Sequence, residues 1–142
     1  MNSKKCKVYI ASPYTVGDAG TNVKKQLDCF SLLLDMGLIP FAPLTSHFLH
    51  IANPKTYRQW MDWDFEWVRS CDCLIRLPGQ SSGGDEEMGV ASDHCIPVFT
   101  SIHDFVDWIS QTDYEFSTDK MSVIDMLEEF DRIVKVDSTL HI

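Results

Sequence analysis

The feature that most constrains the fold is an alternation of short β-rich segments with longer segments of helical periodicity. Residues 22–37 place apolar side chains three to four residues apart and end at Gly37, which predicts a helix that stops at a glycine. Strands are predicted over 6–11, 38–43, 72–77 and 96–99. Helices are predicted over 22–37, 56–71, 103–111 and 121–134, and 77–91 is predicted as a loop that leads into a further helix. A last strand is expected near 133–136. This alternation predicts an α/β fold, a Rossmann-like three-layer sandwich with a mostly parallel sheet of four or five strands and helices on both faces.

The length and composition suit one globular domain, and we take residues 1–142 as a single unit. No run approaches the roughly 18 apolar residues of a membrane span, and no signal sequence follows Met1, so a cytoplasmic protein without a membrane partner is expected. The five cysteines are irregularly spaced, which fits reduced thiols. Cys71 and Cys73 lack a second pair of ligands at zinc-finger spacing, so no metal is expected.

The formal net charge of -9 argues against binding of polymeric nucleic acid, which needs a basic face. The charge is concentrated near the C-terminus, because residues 101–142 contain ten acids and three bases. The preferred interpretation of that segment is a solvated helix face. A small anionic ligand bound by the first hundred residues is compatible with this distribution.

A ligand site is expected where the predicted strands end. In parallel α/β sheets, ligands bind outside the carboxyl ends of the strands. The segments that follow the first three strands are 12–20, 42–53 and 78–84. Candidate binding residues are therefore sought in these three loops.

The predicted helix 56–71 carries an acid where an apolar residue is expected. At about 100° per residue, Asp64 falls in the middle of a Trp-rich apolar face, and the other charged side chains fall on the opposite arc: Arg58, Asp62, Glu66 and Arg69. A carboxylate in that position has to be paired, desolvated or open to a cleft. Asp64 is either a structural cap of a neighbouring loop or an acid whose raised pKa lets it hold a proton near neutral pH.

The segment "LPGQSSGGDEEMGVA", residues 77–91, runs from small residues into three acids. A loop of small residues leading into a helix presents free backbone N–H groups and the positive end of the helix dipole, which suits phosphate or another anion. Neither the dinucleotide G-x-G-x-x-G motif nor the P-loop motif is present. Asp85, Glu86 and Glu87 are therefore either ordinary first-turn acids or the source of a reactive carboxylate.

Three segments in chain order, "VYIASPYT", "WDFEWVRSCDCLIRLPG" and "SSGGDEEMGVASDHCIPVF", together resemble the nucleoside 2-deoxyribosyltransferase superfamily. This superfamily includes base-exchanging transferases and nucleoside 5′-monophosphate N-glycosidases, among them deoxynucleotide N-hydrolases. The first segment resembles the family's "YLAGP" strand end, with Ser12 in place of the usual Gly. The others resemble its "D-x-x-W…AD" helix and its "S-x-G-x-x-x-E-x-G-x-A" loop and helix. The resemblance covers residues 8–99, about two thirds of the chain.

By motif position, the resemblance implies that Glu87 is the nucleophile, that Asp64 positions or protonates the leaving base, and that Tyr9 lies near the nucleophile. Ser81 stands where nucleotide hydrolases carry a serine that contacts phosphate and where members acting on free nucleosides tend to carry an acid. The other expected substrate contacts are Ser12, Tyr14, His47, Ser82, Gly83 and Gly84. The helix start is expected to keep Glu87 ionised, and the Trp-rich face with Phe48 to stack on the base.

The function implied by the resemblance is hydrolysis of the N-glycosidic bond of a (deoxy)nucleoside 5′-monophosphate through a glycosyl-Glu87 intermediate. No cofactor is expected, and the protein is expected to be a homodimer or a larger homo-oligomer. The alternatives are base exchange between nucleosides and non-catalytic nucleotide binding. Two features depart from the family pattern: "SPYT" lacks the Arg that hydrolases often carry after the first strand, and Asp85 and Glu86 oppose an anionic substrate unless both point outward.

Overall fold

A computed structural model describes residues 4–135 of the chain. Its strands are β1 (Lys7–Ala11), β2 (Ile39–Phe41), β3 (Cys73–Arg76) and β4 (Val98–Phe99). Its helices are α1 (Ala19–Asp35), α2 (Ser46–Ala52), α3 (Tyr57–Ser70), α4 (Ser82–Asp93), α5 (Ile102–Ile109) and α6 (Val123–Val134), with a 3-10 turn over Pro43–Thr45. The predicted α/β alternation is confirmed.

The four strands form one parallel sheet in the order β2-β1-β3-β4. The central strand β1 pairs with β2 through Tyr9↔Phe41 and with β3 through Tyr9↔Leu74. Because β2 and β3 lie on opposite sides of β1, the connections leave the sheet in opposite directions at this point. Such a switch of strand order opens a crevice at the carboxyl ends of the strands, where ligands of α/β proteins bind.

Different helices cover the two faces of the sheet. Side chains alternate along β1, so that Val8 and Ile10 belong to one buried apolar cluster and Tyr9 and Ala11 belong to another. The first cluster is completed by α1, α5 and α6, and the second by residues of α3 and α4. The predicted three-layer sandwich is thus confirmed. Tyr9, on the central strand, faces the helices that carry Asp64 and Glu87.

The C-terminal segment joins the first cluster despite its charge. The buried side chains of α5 and α6 belong to that cluster: Ile102, Phe105, Ile109, Met126 and Phe130. Asp125, Glu128 and Asp131 of α6 are exposed, in agreement with the predicted solvated helix face.

The prediction of a last strand near 133–136 is wrong for its first two residues, which continue α6 to Val134. The helical spacing of Met126 and Phe130 continues to Ile133 and Val134, which pack on the same cluster, and this burial overrides the β preference of branched residues. Val136 lies outside the described residues. None of the helices within 4–135 is long and apolar enough to cross a membrane.

The helices that carry the two predicted acids both begin with a side-chain cap. Thr56 accepts the backbone N–H of Gln59 at 3.1 Å, and the Gln59 side chain accepts the N–H of Thr56 at 2.9 Å, which together form a capping box. Ser81 accepts the N–H of Gly84 at 2.9 Å. The caps fix where α3 and α4 begin and therefore which side chains each helix turns toward the sheet.

Candidate active site

A cavity of about 400 Å³ lies where the loops after β1, β2 and β3 meet the starts of α3 and α4. This volume is within the roughly 300–1,000 Å³ typical of small-ligand sites. The residues that line it include nearly all of the predicted site residues: Ser12, Tyr14, His47, Asp64, Ser81, Ser82, Gly83, Gly84 and Glu87. The remaining one, Tyr9, does not line the cavity but contacts Glu87 from the sheet.

Tyr9 fixes the carboxyl group of Glu87. Tyr9 is fully buried on β1, and its hydroxyl donates a hydrogen bond to Oε2 of Glu87. Glu87 lies in the second turn of α4 and is only 4% exposed, although it lines the cavity. Burial, then the charges of Glu87 and Asp64, raise the pKa of Tyr9 well above its usual value, so the hydroxyl keeps its proton and remains the donor.

Asp64 points from the apolar face of α3 into the same cavity. Met61 and Val68, which lie three and four residues away on the same face of α3, are 5% and 0% exposed, as expected for the apolar face of this helix. Burial raises the pKa of Asp64 to about 7, and a hydrogen bond with Glu87 acts in the opposite direction. Oδ1 of Asp64 is buried without a hydrogen-bond partner among residues 4–135, so it does not cap a described loop. The structure thus favours a proton-holding acid over a structural cap.

The carboxyl groups of Glu87 and Asp64 affect each other's ionisation. Burial and then the charge of Asp64 raise the pKa of Glu87 well above its usual value, whereas the Tyr9 hydroxyl and the charge of Arg76 lower it. A half-buried and a buried carboxyl side by side cannot both ionise without strong repulsion, so we expect the pair to retain a proton near neutral pH. Burial and the charge of Asp64 act against the expectation that the helix start keeps Glu87 ionised, because both raise the pKa of that carboxyl in the ligand-free protein.

The Ser81–Gly84 run forms the cap and first turn of α4 on the cavity wall. Gly84 N–H is bound by the Ser81 side chain, but the N–H groups of Ser82 and Gly83 make no hydrogen bond within the part of the chain that is described. Two free N–H groups at the positive end of a helix suit an anion. Anion binding at this predicted cradle stays a prediction.

Arg76 supports this cradle and was missed by the sequence analysis. It ends β3, is 8% exposed, and donates to the carbonyl oxygens of Leu77, Gly79 and Ser81, the last two at 2.9 and 3.5 Å. It also lies 3.3 Å from Oδ1 of Asp85. These contacts hold the β3–α4 loop and place a positive charge behind the cradle. The sequence does contain a signal for Arg76, because it is the single charged residue in the apolar run "CLIRL", just as Asp64 is an acid on an apolar helix face.

The two acids before Glu87 do not line the cavity. Asp85 pairs with Arg76, as described above. Glu86 accepts a hydrogen bond from the Tyr57 hydroxyl at 3.0 Å and lies 3.6 Å from the Arg58 guanidinium. Each acid lies beside an arginine and neither lines the cavity, although Tyr57, which binds Glu86, does; this pairing weakens the objection that the two acids would repel an anionic ligand.

Gln26 of α1 is a second residue that the sequence analysis missed. It is fully buried, and its amide nitrogen donates to the Ile10 carbonyl at 3.1 Å and to Ser12 Oγ at 2.8 Å, while its oxygen accepts the Leu44 N–H at 2.7 Å. It thereby ties the end of β1 to the segment after β2. Because Ser12 Oγ accepts from Gln26, its hydroxyl proton is left for another acceptor. A polar residue among the apolar positions of α1 was the available signal.

The short helix α2, predicted as irregular, brings two histidines to the cavity wall. His47 and His50 are three residues apart and share one helix face. The Tyr14 hydroxyl hydrogen-bonds to Nδ1 of His47 and so links the β1–α1 loop to α2. Nδ1 of His50 accepts from the Trp60 indole at 2.9 Å and from the Lys55 backbone N–H at 3.1 Å. Lys55 also lines the cavity and adds a cation that the sequence analysis did not assign.

The Trp-rich face of α3 is divided between the cavity and the sheet. Trp60 lines the cavity, whereas Trp63 and Trp67 pack on Phe41 of β2 with ring centroids 5.6 and 4.7 Å apart. Phe48 is 60% exposed and does not line the cavity. On this face of α3, Tyr57 and Trp60 line the cavity, and stacking on a base stays a prediction.

Comparison with known proteins identifies a family without a known function. Residues 6–101 match the family described as a domain of unknown function, DUF7768. The chain belongs to this family. The matched range contains all four strands and every residue that lines the cavity, and α5 and α6 follow it. Searches of curated proteins and of solved structures found no match.

In this DUF7768 domain, Gly84→Ala is expected to lower the free energy of unfolding by about 1–3 kcal/mol. A Cβ there would lie 2.8 Å from Nε and 2.9 Å from Cζ of Arg76, which is held by backbone carbonyls and cannot retreat. Gly89→Ala is the matched control, because a Cβ on that side of α4 meets nothing within 4 Å; it should raise the same free energy by about 0.5–1 kcal/mol. Urea unfolding measures both, and equal stability of the two variants would contradict the role of the Arg76 contact.

The shared proton of the DUF7768 domain predicts a stability that falls as the pH rises. Asp64 has a pKa of about 7 when folded and an ordinary value near 3.8 when unfolded. Its contribution is therefore fully present below about pH 4 and lost as the pH rises through 7. Between pH 5 and pH 8, the wild type should lose roughly 1–3 kcal/mol more unfolding free energy than Asp64→Asn. Asp62→Asn, at an exposed position on the same helix, should show the same pH dependence as the wild type. The unfolding free energies are measured with urea at each pH. An equal loss between pH 5 and pH 8 in wild type and Asp64→Asn would contradict the raised pKa.

Proposed function

We propose that this protein cleaves the N-glycosidic bond of a nucleoside 5′-monophosphate and releases the free base and (deoxy)ribose 5-phosphate. The proposal rests on one observation, the closeness of the buried Glu87 carboxyl and the half-buried Asp64 carboxyl in a cavity beside a helix start. The resemblance to the nucleoside 2-deoxyribosyltransferase superfamily supports it independently, because motif position gives the same two acids these roles.

The chemistry uses the two acids in turn. Retaining cleavage of O-glycosides needs two carboxyls about 5 Å apart, and the contact between Glu87 and Asp64 suits such a route. In the first step, the Glu87 carboxylate attacks C1′ while the C1′–N bond breaks, and Asp64 gives its proton to the departing nitrogen. In the second step, Asp64 takes a proton from water, the water oxygen bonds to C1′, and the ester bond to Glu87 breaks.

The shared proton has to rest on Asp64 when the substrate reacts. The Tyr9 hydroxyl and the charge of Arg76 lower the pKa of Glu87, and both therefore favour its carboxylate. A base nitrogen that accepts a hydrogen bond from Asp64 favours the protonated form of that residue. Substrate binding is therefore expected to localise the proton on Asp64 and leave Glu87 as the nucleophile.

The start of α4 supports a phosphorylated substrate. The free N–H groups of Ser82 and Gly83 lie at the helix start on the cavity wall, next to the Ser81 hydroxyl and the Arg76 charge, and together these groups suit a phosphate. Lys55 lines the same cavity. These two cations compensate for the Arg that hydrolases of the resembled superfamily often carry after the first strand. A 5′-phosphate is therefore part of the proposal.

Glu87→Gln tests the nucleophile, and Glu86→Gln is its neighbouring control. Each variant is incubated with a panel of ribo- and deoxynucleoside monophosphates and their dephosphorylated forms, and the free base is measured by chromatography. Glu87→Gln should lose roughly 10³-fold or more of the rate, because the amide cannot form the glycosyl ester. Glu86→Gln should stay close to wild type, since Glu86 lies outside the cavity. Equal rates for wild type and Glu87→Gln would end the assignment.

The same incubations separate the proposal from its alternatives. Acid-quenched turnover should yield a Glu87 peptide heavier by one sugar phosphate. Formation of a new nucleotide after addition of a second free base would instead indicate a transferase. Tight nucleotide binding without release of base over a long incubation would overturn the proposal in favour of a non-catalytic binding protein.

The resemblance also predicts self-association, and an exposed apolar surface on α2 supports it. Phe48, Leu49 and Ile51 are 60%, 55% and 67% exposed beside the cavity. We expect a dimer or larger assembly in sedimentation at micromolar concentration, and Ile51→Asp should shift it toward the monomer. Ile124→Asp, at an equally exposed position on α6, should not. A wild type that sediments as a monomer throughout would contradict the prediction.

A further inference from the structure

The hydrogen-bond partners of His50 fix which ring nitrogen carries its proton, whereas those of His47 do not. Nδ1 of His50 accepts from two groups that can only donate, the Trp60 indole at 2.9 Å and the Lys55 backbone N–H at 3.1 Å. A nitrogen that accepts from two donors carries no proton, so the neutral ring of His50 carries its proton on Nε2. Nδ1 of His47 hydrogen-bonds to the Tyr14 hydroxyl, which can donate or accept, so this bond is compatible with either neutral tautomer of His47.

The Nε2–H group of His50 is left for a ligand. It makes no hydrogen bond to another residue between 4 and 135, and His50 lines the cavity. The ring also packs edge-to-face on Trp60, with centroids 6.2 Å apart, which restricts its rotation. The cavity wall thus holds a hydrogen-bond donor whose tautomer is fixed before any ligand arrives.

The proposed nucleotide assigns His50 to the base end of the cavity. The start of α4 supplies N–H groups suited to phosphate, whereas α2 and α3 supply the imidazole and indole rings that line the cavity. Trp60 and Asp64 are four residues apart and share a face of α3, so the acid that would protonate the base adjoins the wall beside His50. A nucleotide with its phosphate at α4 and its sugar over Glu87 directs its base toward this wall.

We propose that His50 selects the base through its Nε2–H donor, favouring bases with an oxo group over their amino counterparts. The inference rests on the proposed nucleotide substrate and names its class as a 6-oxopurine or 4-oxopyrimidine monophosphate. An oxo oxygen accepts the N–H bond. An exocyclic amino group presents a second donor instead, so both polar groups lose their hydrogen bonds on binding. Trp60 and the Lys55 backbone act as positioning groups that fix the tautomer.

Equilibrium binding to Glu87→Gln tests selection apart from turnover. Calorimetry compares two matched pairs, inosine with adenosine monophosphate and uridine with cytidine monophosphate. The oxo member of at least one pair should bind about 10–100-fold more tightly. His50→Phe, added to the same protein, keeps an aromatic ring without the donor and should bring that ratio close to one.

Two further variants separate recognition from folding. His50→Gln keeps an acceptor oxygen for Trp60 and Lys55 and a donor N–H for the ligand, so it should retain the preference for the oxo member. His103→Phe, exposed on α5 and away from the cavity, should leave the ratio unchanged. Thermal unfolding of each variant establishes that it is folded. An unchanged ratio in folded His50→Phe, or an amino preference in the parent, would overturn the inference.

The outcomes also distinguish this inference from the proposed reaction. A His50-dependent oxo preference in a protein that releases no base would overturn the glycosidase and leave the selection by His50 standing. Base release by wild type with no dependence of binding on His50 would support the glycosidase and overturn the selection by His50. Failure of all four nucleotides to bind would overturn the inference.

Discussion

The burial of Glu87 against Asp64 is the constraint on which the rest of the site depends. An unpaired buried carboxylate costs several kcal/mol, and here the shared proton and the Tyr9 hydroxyl reduce that cost. The arrangement requires three elements to agree, because β1 has to turn Tyr9 toward α3 and α4 rather than toward α1. A register slip of one residue in β1 would exchange Tyr9 for Val8 or Ile10 and leave the carboxyls without their donor. The parallel sheet with helices on both faces is what makes this agreement possible.

Arg76 links the electrostatics of the site to its backbone. Its guanidinium is used mostly for loop carbonyls, so the charge is fixed in place below the start of α4 rather than carried on a mobile side chain. The same charge lowers the pKa of Glu87 and so opposes the effect of burial. The close packing of Gly84 on Arg76 is the structural condition for both effects, because any larger residue would separate the helix start from the cation.

The parts of this structure that sequence could predict are those with a local signal. Periodicity gave α1, α3 and the four strands, and the same periodicity exposed Asp64 as an exception to its own face. Glu87 could be separated from Asp85 and Glu86 by motif position, but its raised pKa could not be foreseen, since that depends on what packs around it. Arg76, Gln26 and Lys55 acquire their roles from the loops that fold over them. The helix α2 has seven residues, about two turns, which is too short for a periodic pattern to register.

Much of the acidity of the chain lies away from this cavity. The acids of α6 lie on the opposite face of the sheet from α3 and α4, and Asp85 and Glu86 lie beside Arg76 and Arg58 without lining the cavity. Exposed charges beyond about 8 Å are largely screened at physiological ionic strength, so the lining residues set the local potential. We expect Asp64 and Glu87 to retain one proton and so to carry about one negative charge between them, and the exposed Lys55 lines the same cavity. The dipole of α4 and the buried Arg76 are the positive contributions near Ser82 and Gly83, in a protein whose net charge is -9.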